Sequence, residues 1–169
     1  QHVELGDHLE ALISGGELDE AEALIVLWEE RSRRLDRAWA LTFTSQTEAA
    51  VPYLERAAAL SGEATAARAE ILGLQSYGKS VYGLTGEAVH LAGLALEISP
   101  ADNSFLQCIN HLFLASALVR DGKLDEAMRV YNSIRTACQS QHQLAGLALL
   151  EADFLQYAAA FMNACSQSQ

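Results

Sequence analysis

A chain of 169 residues, half of them hydrophobic and only two of them proline, has the length for a sizeable core and a composition that favours helix over sheet. Its net charge of −11 opposes phosphate backbones and anionic bilayers, so neither direct nucleic-acid contact nor a membrane partner is expected. Three cysteines, Cys108, Cys138 and Cys165, are too few for a disulfide framework, and no apolar run reaches membrane-spanning length, so a reducing cytoplasm is the expected location.

In chain order, residues 3–13 carry an apolar helical pattern that stops at Ser14, Gly15 and Gly16. Residues 17–30 then open on Glu17, Asp19 and Glu20, acidic groups suited to the positive end of a helix dipole. A third helix is predicted over 32–43, and a fourth from Gln46, with Pro52 near its tolerated start. The intervening Arg31, Arg33, Arg34 and Arg37 alternate with Glu29, Glu30 and Asp36, the pattern of a solvated face. Leu24, Leu27, Trp28, Trp39 and Leu41 fall at helical spacing and are assigned to the core. A longer helix follows over 63–82, a reversal at Gly83 to Gly86, and a helix over 87–98 that Pro100 terminates. Asp102, Asn103 and Ser104 are N-cap candidates for a helix over 105–120, which Gly122 closes. Residues 123–138 form its partner, and a final pattern over 142–164 is left unpaired, with Leu147, Leu150, Phe154, Leu155, Tyr157 and Phe161 on its apolar face.

Residues 114–134 serve as a ruler for this series. Leu114, Ala115 and Leu118 precede a break at Asp121 and Gly122, and Ala127, Tyr131 and Ile134 form the next inner face. Aligning the reversals brings Ala21, Ala50, Ala88 and Ala127 into register, at spacings of 29, 38 and 39 residues. Gly16, Gly83 and Gly122 precede three of them at one fixed distance, and Ser45 stands in the remaining copy. A hairpin repeated at this period cannot bury its own face and must stack on its neighbours.

The large-small-aromatic and small-aromatic-small pattern of Leu114, Ala115, Leu118, Gly122, Ala127, Tyr131 and Ile134 resembles that of tetratricopeptide repeats. The long period, the segment Arg37-Ala38-Trp39-Ala40-Leu41 and the Gly-x-Leu-Asp-Glu-Ala turns at Gly16 and Gly122 resemble more narrowly the helical-repeat region of MalT-like, ATP-dependent regulators of the LuxR family. The resemblance implies an all-α, right-handed superhelix of antiparallel hairpins, about four of them plus a last unpaired helix, as one domain spanning 1–169 and belonging to a longer regulator. It also implies a non-enzymatic sensor without a cofactor, binding a small effector or a protein partner in its groove. The regulator's other domains and a second copy, met through the last helix, are further expected partners. The alternative is a free-standing tetratricopeptide adaptor or scaffold for peptides and proteins. Inward positions carried over from the repeat pattern are Glu70, Tyr77 and Ser80 on one helix and Ile109, Leu112 and Ser116 on another, with Asn110 and His111 nearby. Tyr77 beside Asn110 would offer a stacking face together with hydrogen bonds.

Two strings suggest other chemistry. Residues 73–80 satisfy the letter of the phosphate loop, G-x-x-x-x-G-K-[ST], with Lys79 and Ser80 in the phosphate and magnesium roles. That loop requires a preceding buried strand, whereas residues 64–74 are Ala-rich and amphipathic, and the repeat register puts the string inside a helix. Cys108-x-x-His111 and Cys138-x-x-x-His142 have spacings suited to zinc, but nothing in the sequence brings the two pairs together, and packing is the favoured reading. No Gly-x-Ser-x-Gly elbow is present.

Overall fold

The computed structural model describes residues 2–43, 46–62, 65–140 and 145–167, and every regular element in them is an α-helix. The elements are α1 (His2–Gly15), α2 (Leu18–Phe43), α3 (Thr47–Ser61), α4 (Thr65–Val81), α5 (Thr85–Ile98), α6 (Ser104–Arg120), α7 (Leu124–Ser140) and α8 (Ala145–Gln167). Contacts gather these helices into two compact units, Gln1–Ala67 and Arg68–Gln169. None of the described helices is long and apolar enough to cross a membrane.

The turns repeat one geometry. At Gly122 (φ +78) the Gly122 N–H donates to the Val119 carbonyl at 3.0 Å and the Lys123 N–H to the Leu118 carbonyl at 2.9 Å. This is the paired hydrogen-bond pattern of a Schellman cap, which needs a left-handed residue at its corner. Gly16 and Gly83 repeat it, donating to Ile13 and Ser80, while Glu17 and Leu84 donate to Leu12 and Lys79. In each copy the residue after the glycine also starts the next helix. Its carbonyl accepts the N–H of the alanine four residues on: Glu17 from Ala21, Leu84 from Ala88 and Lys123 from Ala127. Gln46 shows the same double role, donating to Leu41 and accepting from Ala50. The four alanines are buried, at 4, 1, 0 and 0 % exposure along the chain. Asn103 is the N-cap that starts α6, its side chain accepting the Leu106 N–H at 3.0 Å.

The helix layout departs from the sequence expectation in two places. The helices predicted over 17–30 and 32–43 are one continuous helix, α2. No glycine or proline interrupts the charged stretch between them, and pairs one turn apart carry the helix through it, with Arg34 donating to Glu30 at 2.6 Å. In the same helix Leu41 is buried, Leu24, Trp28 and Trp39 are half-buried, and Leu27 is exposed rather than in the core. The last helix is also partnered: α8 packs on α6 and touches α7, and Phe154 is fully buried.

Within Gln1–Ala67, α2 packs on α1 and α3, and the core is built from Leu35, Ala38, Leu41, Leu54 and Ala57. Within Arg68–Gln169, α6 is the central element, packed by α5, α7 and α8. Gly73 of α4 lies against it as well. A Cβ at Gly73 would overlap Asn110 Oδ1 and fall 2.8 Å from the Phe113 ring, so the close approach of α4 and α6 depends on glycine.

Candidate functional site

Three helices of the second unit bring charged and aromatic groups to one place. Tyr77 of α4 donates its hydroxyl to Asp153 Oδ2 of α8 at 3.3 Å, and Arg120, in the last turn of α6, donates to the same oxygen at 3.2 Å. The Arg120 guanidinium lies 3.7 Å from the centre of the Tyr157 ring, a cation–π contact one helical turn beyond Asp153. Tyr77 also packs its ring against Phe113, with centroids 5.7 Å apart. Arg120 Nε is buried without a hydrogen-bond partner among the described residues, while Tyr157 is 43 % exposed. The cluster therefore combines an enclosed cation and a carboxylate with an aromatic face open to solvent. Burial, followed by the negative charge of Asp153, pushes the Tyr77 phenol up to about 12, so it remains a hydrogen-bond donor through the physiological range.

A second polar contact fastens α8 nearby. The Tyr131 hydroxyl of α7 donates to Glu151 at 2.5 Å, both groups being buried, and the Tyr131 and Phe154 rings pack with centroids 5.0 Å apart. No known protein family, curated protein or solved structure matches this chain. The reading of the site therefore rests on its own geometry.

The residues carried over from the repeat pattern divide into two groups. Tyr77 joins the cluster, and Glu70 and His111 are partly exposed, with His111 Nδ1 2.7 Å from the Gln107 carbonyl of its own helix. Ser80, Asn110 and Ser116 are buried rather than on a solvated wall. Ser80 donates to the Tyr77 carbonyl at 2.8 Å, and Asn110 donates to Ser99 Oγ at 2.9 Å and the Ala69 carbonyl at 3.4 Å. Ile109 and Leu112 are fully buried as well. The cause is the central position of α6, which packing on several sides leaves partly exposed, between its ends, only along a stripe with Gln107, His111 and Leu114. Asn110 thus pins helices together instead of facing a ligand beside Tyr77.

The phosphate-loop string lies inside α4, so its N–H groups are directed along a helix. Lys79 pairs with Glu87 of α5 at 2.8 Å. Of the two metal-like pairs, Cys108 is a buried thiol, while the Cys138 side chain and His142 lie outside the described residues, as do the side chains of Leu147 and Leu150. Among the described residues no group of three or more His, Cys, Asp or Glu is placed to hold a metal ion.

Arg120, Asp153 and Tyr157 were not singled out by the repeat register. A signal for them exists: Asp153 is an acidic residue set into the apolar run of α8, and Tyr157 follows it by one turn on the same stripe. A charged residue inside an otherwise apolar helix requires a partner, and Arg120 supplies it.

Proposed function

We propose that this chain is the sensor and protein-interaction segment of a MalT-like regulator of the LuxR family, a tetratricopeptide-like solenoid of helix hairpins. It acts without catalysis, in the cytoplasm, by binding a small effector or a protein partner. The observation that carries the proposal is the repeated turn: one Schellman frame recurs at Gly16, Gly83 and Gly122, each followed at a fixed interval by a buried alanine. A recurring turn of this kind is what a tandem hairpin array requires.

The effector site in this reading is the cluster of Tyr77, Arg120, Asp153 and Tyr157. Arg120 and Asp153 offer charge-assisted hydrogen bonds, and Tyr157 offers a face for a sugar ring or an apolar moiety. An effector that exchanged its own polar groups for the Arg120–Asp153 contact would bias how α8 sits on α6, which is the differential interaction a sensor needs. A second copy or another domain of the regulator would meet α8 on its outward side, where Leu155 and Met162 are exposed.

The deciding test is the full open reading frame. A P-loop domain upstream and a helix-turn-helix domain downstream are expected, and the absence of both leaves the free-standing adaptor as the reading. A thermal-shift screen of the chain against sugars and small carboxylates tests the site itself. A ligand that raises Tm in the parent chain should lose that effect in Tyr157→Ala, and a ligand whose effect survives that substitution binds elsewhere.

A further inference from the structure

The negative charge of this chain is concentrated. The first thirty residues hold nine acidic residues and no lysine or arginine, so −9 of the total −11 resides there. Within that segment the front half of α2 presents Leu18, Glu22, Ile25 and Glu29 at i, i+4, i+7 and i+11, which places them on one stripe. All four are exposed, Leu18 at 63 % and Ile25 at 40 %, with Val26 at 56 % beside them and Ile13 at 56 % at the end of α1. The inner side of the helix is occupied separately, by buried Ala21 and half-buried Leu24 and Trp28. Among the described residues no ion pair involves Glu22 or Glu29, whereas Glu30, a step around the helix, is held by Arg34.

We infer that this stripe of α2 is a docking surface for a cationic amphipathic helix of a protein partner. The alternation of apolar and acidic side chains fixes the chemistry of the occupant. A helix with leucine-like residues at i and i+7 and lysine or arginine at i+4 and i+11 can seat its apolar groups on Leu18, Ile25 and Val26 and its cations on Glu22 and Glu29. A second copy fits poorly, because juxtaposing two such segments brings like charges together. The inference concerns only the first unit and does not rest on the regulator reading.

The test uses the whole chain and a labelled amphipathic helical peptide of leucine and lysine, with binding followed by fluorescence anisotropy at two salt concentrations. Saturable, salt-weakened binding is expected, reduced about tenfold or more by E22K together with E29K, and comparably by I25S. The same peptide scrambled so that its stripe is broken should bind at least about tenfold more weakly. All three substituted positions are exposed, and thermal melts of the variants verify that they fold. Equal binding of the scrambled peptide, or no effect of either variant, overturns the inference. So does a dimer in sedimentation that I25S dissociates, which would assign the stripe to a second copy.

Discussion

At the scale of single residues, Gly73, Gly122 and Gly93 are three physically different glycines, and one substitution separates them. Gly73 is glycine for space: in Gly73→Ala the new methyl meets Asn110 and Phe113, and the overpacking should outweigh the gain in helix propensity, with a net loss of about 1–3 kcal/mol by urea denaturation. The same change in an Asn110→Ala background should cost less, because one of the two clashing groups is gone. Gly122 is glycine for conformation. Nothing lies within 4 Å of a Cβ there, yet φ is +78, so Gly122→Ala should cost about 1–2 kcal/mol through the backbone alone. Gly93 in α5 has neither constraint, and Gly93→Ala should stabilise by up to about 1 kcal/mol. The corner glycines were legible in the sequence because a turn is a local demand. The role of Gly73 was not, since its reason is a side chain 37 residues away, at Asn110.

At the level of elements, the same contrast explains what the sequence revealed. Helix ends were legible wherever Gly, Pro or an N-cap residue marks them, as at Gly122, Pro100 and Asn103. The boundary expected between residues 30 and 32 has no Gly or Pro to mark it, and Glu30 and Arg34 hold α2 helical through it. The repeat register put Ser116 on a groove wall with Asn110 nearby, but burial is decided by what packs on α6, and that is a tertiary fact. Helix α8 is the element whose attachment can be tested by pH. Tyr77 is pushed up to about 12 from an ordinary 10, so the folded state favours its neutral form. The contribution is fully present below the unfolded value and is lost as pH rises from about 10 through about 12. Stability followed by denaturant midpoint should therefore fall across that window, and Tyr77→Phe should flatten that part of the profile. An unchanged slope in Tyr77→Phe would mean that other groups govern the alkaline limb.

Across the whole molecule, the two compact units differ in what they bury. Among the described residues, every large side chain that is fully enclosed, Phe113, Phe154, Leu74, Leu106, Ile109, Leu112 and Leu118 among them, belongs to Arg68–Gln169. Among the described residues the core of Gln1–Ala67 is made largely of alanine with Leu35, Leu41 and Leu54, and the front half of its longest helix leaves Ile25, Val26 and Leu27 exposed. Since apolar burial stabilises by roughly 25 cal/mol per Å², the described side chains give the first unit the smaller driving force against comparable chain entropy per residue. Two compact units with separate cores need not unfold together, because local and sub-global opening has its own free energy in each. Hydrogen exchange with rising denaturant should expose amides of α3 before those of α6. Leu54→Ala, at about 2–5 kcal/mol, should shift the early opening and leave the exchange of α6 nearly unchanged, whereas Phe113→Ala should lower the protection of α6. If both substitutions lower all amides equally, the chain unfolds as one cooperative body. In that case the difference in packing between the two cores sets no order of opening.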